Sequence, residues 1–248
     1  MNLKTAGVMI VLVGAASGSA VAADLSVKAP YTAPVSTFSW SGFYAGLHAG
    51  YGWGRNDWTG GLVGDPTVVV SPLSPKTKGV LGGVQAGANY QAGNWVVGLE
   101  WEFDLTARKA SADGVVVPAG VVLLNSTATS SIEWLTQFSG RTGFAVDHTL
   151  LYAKAGIAAG EAKDGMVFVA PGALAAQDAG TKSNLLVGWV AGAGIEHYFA
   201  PNWSAKVEYN YVDLGSTTET YSVPVNTVFR ETISHKLQIV KVGANYKF

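Results

Sequence analysis

The sequence predicts an all-β protein: an eight-stranded, antiparallel, up-and-down transmembrane β-barrel. Three observations predict it. Ribbons that alternate apolar and polar residues recur eight times, the connections between them run long and short in strict turn, and aromatic residues gather at the ribbon ends.

The pattern is plainest from Trp95 to Arg108. Trp95, Val97, Leu99, Trp101, Phe103 and Leu105 take the odd positions, while Val96, Gly98, Glu100, Glu102, Asp104, Thr106 and Arg108 take the even ones. Successive strand side chains point to opposite faces, so the ribbon has one greasy and one largely charged face. Wound as a helix, the same residues would scatter the carboxylates among the tryptophans. A soluble antiparallel sheet also alternates, so recurrence and the strand ends decide between the two.

Composition narrows the class. The chain has 248 residues, 48% hydrophobic and only 13% charged, with 31 glycines and 8 tryptophans. Soluble domains usually carry about 25% charged residues. A net charge of −1 gives no reason to expect nucleic acid or an acidic polymer as partner. With no cysteine, disulfides and thiol chemistry are excluded.

Residues 1–22 read as a secretory signal peptide. Lys4 supplies the positive start, Ala6 to Ala16 the apolar core, and Ala20-Val21-Ala22 a small-x-small site with cleavage after Ala22. An anchoring helix fits less well, because the apolar run is short of about 20 residues. Residues 23–40 hold Pro30 and Pro34 without PxxP spacing and read as an extended periplasmic lead-in. Residues 41–248 are then the barrel domain, since no later stretch is apolar enough for a spanning helix.

The first strand, 42–54, sets Phe43, Ala45, Leu47, Ala49, Tyr51 and Trp53 against Tyr44, His48 and glycines. The second, 79–91, sets Val80, Val84, Ala86, Ala88 and Tyr90 against Gln85, Asn89 and Gln91, and a turn at Ala92-Gly93-Asn94 leads into the Trp95 ribbon. The fourth, 132–146, sets Ile132, Trp134, Phe138, Phe144 and Val146 against Glu133, Gln137, Ser139 and Arg141. After Asp147-His148-Thr149 the fifth, 150–161, sets Leu151, Ala153, Ala155, Ile157 and Ala159 against Tyr152 and Lys154. The sixth, 185–199, pits Val187, Trp189, Ala191, Ala193, Ile195 and Phe199 against glycines and Glu196. Ala200-Pro201-Asn202 then turns into the seventh, 203–214, with Trp203, Ala205, Val207, Tyr209 and Tyr211 opposite Ser204, Lys206, Glu208 and Asn210. The eighth, 235–248, sets Val240, Val242, Ala244, Tyr246 and Phe248 against Lys241, Asn245 and Lys247, with Leu237 and Ile239 leaving its upper register open.

The stretches 55–78, 109–131, 162–184 and 215–234 read as long loops, although 115–124 could add a short hairpin extension. Outer-membrane barrels pair short periplasmic turns with long outer loops, which predicts periplasmic termini. On the apolar parity, Phe43, Tyr90, Trp95, Phe144, Phe199, Trp203, Tyr246 and Phe248 fall at the turn ends, and Tyr51, Trp53, Phe103, Trp134 and Tyr211 toward the loop ends. Two such girdles mark the membrane interfaces, so outer-membrane lipid is the expected surrounding.

The polar parity collects Glu100, Glu102, Asp104, Glu133, Glu196 and Glu208 with Arg108, Arg141, Lys154, Lys206 and Lys241. Eight strands leave a bore that side chains just fill, so these charges are expected to pair in a hydrogen-bonded plug. The sharper alternative is a cation-preferring pore lined by Glu100, Glu102 and Asp104. Inward glycines leave room for Tyr44, Tyr152 and Tyr198. Some small outer-membrane barrels modify lipids with a histidine near the outer rim. Here His48, His148, His197 and His235 show no convergence with serine and carboxylate, and metal-ligand spacing is missing, so no enzyme and no cofactor are expected.

Particular segments resemble a known family. Trp40-Ser41-Gly42-Phe43-Tyr44-Ala45-Gly46 with Gly50-Tyr51-Gly52-Trp53, the run Gly188 to Glu196, Lys206 to Tyr211, and Val242 to Phe248 resemble the small outer-membrane immunogenic, porin-like proteins of Brucella, rhizobia and relatives. The resemblance spans roughly residues 40–248 and is carried by the strands, not the loops. It implies an eight-stranded barrel distantly like the transmembrane part of OmpA-type proteins, with roles in envelope integrity and antigenic display and, for some members, diffusion of small solutes. The ending with Tyr246 and Phe248 resembles the signal read by the barrel-assembly machinery. The expected function is therefore a structural, surface-antigen component of the envelope. The alternatives are a porin for small solutes, or an adhesin or receptor whose loops meet host or phage ligands.

Overall fold

A computed structural model describes residues 38–69, 76–116, 124–169, 177–223 and 227–248. The predicted signal peptide with Ala20 and Ala22, most of the lead-in, and residues 70–75, 117–123, 170–176 and 224–226 lie outside the described residues.

The chain folds into β1 (Gly42–Leu62), β2 (Asp65–Val69), β3 (Lys76–Ala92), β4 (Trp95–Val116), β5 (Leu124–Val146), β6 (Thr149–Val169), β7 (Gln177–Ala200), β8 (Trp203–Val223) and β9 (Thr227–Lys247). Each long strand pairs antiparallel with the next, and β9 pairs back onto β1 from Tyr44↔Lys247 to Leu62↔Phe229. The result is a closed ring of eight strands, as expected, with short β2 hairpinned onto the upper end of β1. Along the length that the eight long strands share, closure removes the sheet edges, so backbone groups there find partners without water.

Short turns at Gly93-Asn94, Asp147-His148 and Pro201-Asn202 join strands at one end. Gly93 and Asp147 turn with positive φ (61° and 51°), a conformation open to glycine and tolerated by aspartate. At the opposite end the strands run further than the sequence suggested. They are up to 24 residues long, against roughly 9–11 needed to cross a membrane. Much of the stretches read as loops is strand, paired up to Val116↔Leu124 in one hairpin and Val223↔Thr227 in another. Polar outward residues hid the continuing alternation there: Asn56 and Trp58 still point inward while Arg55 and Thr59 are exposed.

Bulges explain where the parity slips. Register shifts fall between Leu105 and Arg108 in β4, Ile132 and Leu135 in β5, and Asp213 and Ser216 in β8. An extra residue in one strand turns the following side chains to the other face. Ile132 and Leu135 both face the interior, and Glu133 is pushed outward into solvent, where Lys163 Nζ donates to its Oε1 at 2.6 Å. The expectation that Glu133 belongs to the interior is thus corrected. The side chain of Arg108, just past the β4 bulge, lies outside the described residues.

Below the bulges the two faces separate sharply. Leu99 is 55% exposed on the outside, while its neighbour Glu100 is 0% exposed. A continuous exposed apolar band this large has no place in water. From Trp95 to Leu105 it rises roughly 25 Å at the usual strand tilt, the height of a lipid-facing band. Leu99→Arg at mid-band should cost about 2–4 kcal/mol in urea unfolding from lipid vesicles, whereas Thr59→Arg, on the hairpin extension, should leave the midpoint nearly unchanged.

Candidate functional site

The interior is stacked in layers. Nearest the turns, Trp40, Val96, Ala145, Leu150, Tyr152 and Tyr198 form an apolar plug. Phe38 and Trp40 belong to the lead-in and fold back into the mouth. The Phe38 ring meets Tyr198 edge-on at 4.8 Å, and Trp40 meets it at 4.7 Å. The backbone N–H of Trp40 donates to Gln91 Oε1 at 2.6 Å, fixing the segment across the opening. Above the ionic layer a second apolar plug gathers Leu81, Leu135, Val190, Val212, Leu237 and Ile239. The open register of Leu237 and Ile239 resolves inward, because this plug needs them.

Between the plugs lies the ionic layer. Lys154 Nζ reaches Glu102 Oε2 at 2.6 Å, Glu208 Oε1 at 2.7 Å and Glu100 Oε1 at 3.2 Å. Lys206 Nζ meets Glu100, Glu102 and Glu208 at 3.2, 3.3 and 3.4 Å. Each ammonium has three hydrogens to give, and three carboxylates surround it. Lys241 Nζ adds Asp104 Oδ2 at 2.9 Å and Glu102 Oε2 at 3.4 Å. Arg141 donates to Glu196 at 3.1 Å, Glu100 at 3.4 Å and Asn89 Oδ1 at 2.9 Å. Its guanidinium lies over the rings of Tyr44 (4.8 Å) and Tyr152 (5.0 Å). Those hydroxyls in turn donate to Glu100 Oε2 at 2.8 Å and Glu208 Oε2 at 2.7 Å.

Glycine makes room for the tyrosines. A Cβ on Gly87 would sit 2.4 Å from the Tyr44 hydroxyl, and one on Gly194 would sit 2.6 Å from that of Tyr152. Oxygens of Glu100, Glu102 and Glu208 lie within 4.8 Å of one another, close enough to hold a cation. Lys154 and Lys206 already occupy that role, so a metal ion would have to displace them.

A histidine extends the layer on one side. Five carboxylates (Glu100, Glu102, Asp104, Glu196, Glu208) face four permanent cations (Arg141, Lys154, Lys206, Lys241). Glu196 Oε1 accepts from Asn245 Nδ2 at 2.7 Å, which turns Asn245 Oδ1 toward Gln85. Gln85 Nε2 must then donate to it, at 2.5 Å, and present Oε1 to His48 Nδ1 at 2.9 Å. His48 Nε2 faces Asp104 Oδ1 at 2.7 Å. His48 thus bridges the Gln85 amide and the Asp104 carboxylate.

Beyond the upper plug is a polar chamber that sequence reasoning missed. Asn56 Nδ2 donates to Ser130 Oγ at 2.6 Å, Ser130 donates to Asp164 Oδ1 at 2.6 Å, and His235 Nε2 lies 3.4 Å from Asp164 Oδ2. Trp58 stacks on Tyr221 at 6.1 Å. Glu219 and Glu231 face each other across β8 and β9. Glu219 takes Lys182 at 3.0 Å, while burial pushes the Glu231 carboxyl up to about 7. The continued alternation from Asn56 to Trp58 was the available signal.

The aromatics sort to the outer face. Phe43, Tyr51, Trp53, Tyr90, Trp95, Phe144, Phe199, Trp203, Tyr246 and Phe248 are exposed, and Trp134 and Tyr211 are half-buried there. Neighbours pair edge-on, as at Trp95–Phe144 (5.6 Å) and Trp203–Tyr246 (5.2 Å). Trp134 Nε1 donates to Glu161 Oε2 at 3.0 Å at the upper rim. Amphipathic rings with one wet tip suit a headgroup interface.

Comparison with known proteins agrees with this architecture. Over residues 9–248 the chain matches the family described as outer membrane protein beta-barrel domain. It is 35% identical over 237 residues to the 31 kDa outer-membrane immunogenic protein of Brucella melitensis, covering 93% of this chain and 94% of that one. Among solved structures, the outer membrane protein OprG of Pseudomonas aeruginosa superposes with a TM-score of 0.52 at 11% identity, covering 86% of this chain and 98% of that one. The outer membrane protease OmpT of Escherichia coli gives 0.51 at 12% identity, with coverage of 84% and 97%. Likeness this remote in sequence bears on the fold alone.

Two outcomes test the interior. Lys206→Met leaves three carboxylates sharing one fewer cation and should destabilise the barrel by about 3–5 kcal/mol in urea titration. Glu231, above the membrane band, has an ordinary value of 4.5 raised to about 7. Folding therefore favours its protonated form, and the stability of the β8–β9 hairpin should fall as pH rises from about 4.5 to about 7. Hydrogen exchange should show that loss, and Glu231→Gln should remove it.

Proposed function

The chain belongs to the outer-membrane β-barrel domain family, and on that premise we propose that it is a sealed structural and surface-antigen component of the bacterial outer membrane. The observation that carries the reading is the layered interior, in which an ionic plug lies between two apolar ones. A conducting pore would need a continuous wet path, and Glu100, Glu102 and Asp104 would have to meet water rather than lysine. The immunogenic relative from Brucella supports the antigenic part of the proposal.

The arrangement has a direction and a history. Three short turns and both ends of the barrel domain lie together, which favours periplasmic termini and outward hairpins. Tyr246 and Phe248, exposed on the closing strand, suit recognition by the barrel-assembly machinery and then anchor at the interface. Cleavage after Ala22 would release the mature chain into that route. The long strand extensions favour a second, compatible reading: an adhesin or receptor whose hairpins meet host or phage ligands. The immunogenic relative supports a non-enzymatic reading. Among the described residues, the buried histidines His48 and His235 each face an aspartate, with no serine nucleophile bonded to either ring.

Planar-bilayer recording tests the proposal. The purified barrel should give no steady current, and stepwise, cation-selective conductance would support the porin instead. N-terminal sequencing of the protein from outer membranes should begin at Ala23.

A further inference from the structure

We infer that the outer face of the barrel carries a docking site for the phosphate-bearing headgroup of a lipid in the surrounding outer leaflet. The site lies where β3, β1, β9 and β8 meet, just above the upper aromatic belt. Lys76 is directly opposite Arg55, and Arg55 directly opposite Lys236, so three cations stand side by side across three strands. Lys78 stands one step below, opposite Trp53. All four are exposed. Like charges directly opposed on neighbouring strands destabilise a sheet, so an uncompensated row of this kind needs an explanation.

Two other lysines of the upper barrel are paired. Lys163 is bound to Glu133 at 2.6 Å, and Lys182 to Glu219 at 3.0 Å. Among the described residues, Arg55, Lys76, Lys78 and Lys236 have no carboxylate within ion-pair distance. Asp57 borders the patch, and Asp213 pairs in register with Lys236. Asp213 spends one oxygen on the Gly215 N–H. Four cations against two carboxylates leave the patch net positive.

Arg55, Lys76 and Lys236 line an open groove of about 410 Å³ together with Trp53 and Tyr211 on its apolar floor side, and Asp57 beside them. That floor is the top of the exposed apolar band, through Tyr51 and Val240. A ligand that fits both parts has acyl chains against the band and anionic phosphates at the row. A lipid headgroup joins the two, whereas a free anion uses only the second. Each basic side chain near such a surface adds attraction that salt screens. The inference rests on the orientation proposed above, with the hairpin end outward.

The test measures binding to the detergent-purified full barrel, so its outcome is independent of the conductance experiment. The probes are bisphosphorylated lipid A, the same lipid stripped of phosphate, and inorganic phosphate, with bound lipid counted by native mass spectrometry. The phosphorylated lipid should bind, and it should bind about tenfold less tightly to Arg55→Gln/Lys76→Gln/Lys236→Gln. Lys163→Gln, a cation removed from an existing pair, should bind as the unaltered protein does. Raising the salt to about 1 M should weaken binding to the unaltered barrel, an arm that needs no variant to fold. Equal binding by the triple variant, by the stripped lipid or at high salt would overturn the site. Displacement by an equimolar amount of inorganic phosphate would overturn its assignment to lipid.

Discussion

A charge inside a narrow ring of strands has nowhere to find water, and every other feature of this interior answers that constraint. Taking ions out of water costs several kcal/mol each, recovered only when geometry and hydrogen bonds are both good. Lys154 and Lys206 meet that condition together, each surrounded by Glu100, Glu102 and Glu208. Because the same carboxylates serve several cations, the layer behaves as one unit. The network extends through Asn245 and Gln85 to His48, which joins it to Asp104.

The layers above and below follow from the same need. An ionic cluster open to solvent at either end would exchange its internal partners for water. Leu135, Leu237 and Ile239 close one side, while Trp40 and Tyr198 close the other. The inward face is thus not uniformly polar. It is polar where opposite charges can meet and apolar where the chain must stop water. Outside, the lipid supplies the burial that a soluble protein would take from its own core, which leaves the greasy parity free of internal partners.

How much of this could be read from the sequence depended on distance along the chain. Alternation within a strand is local, so the greasy parity, the turns at Gly93, Asp147 and Pro201 and the inward carboxylates were legible. Which cation meets which carboxylate was not, since Glu100 and Lys206 are joined across strands far apart in sequence. Bulges erased local information: Glu133 kept its alternating position on paper while one extra residue turned it outward to Lys163. The hairpin extensions were misread as loops because exposed polar residues there face water rather than lipid. The chamber around Asn56, Ser130, Asp164 and His235 went unseen with them.

A bore closed by two apolar plugs keeps water-soluble reagents out. The protein has no cysteine of its own, so a single one can report on any position. Ala158→Cys, in the upper apolar plug, should stay unreactive toward a water-soluble thiol reagent in the folded barrel and react fully after unfolding in urea. Ser216→Cys, exposed on the outer face, should react in both states. If the cysteine at position 158 reacted in the folded barrel as fast as the exposed one, water would run through the lumen and the sealed account would be wrong.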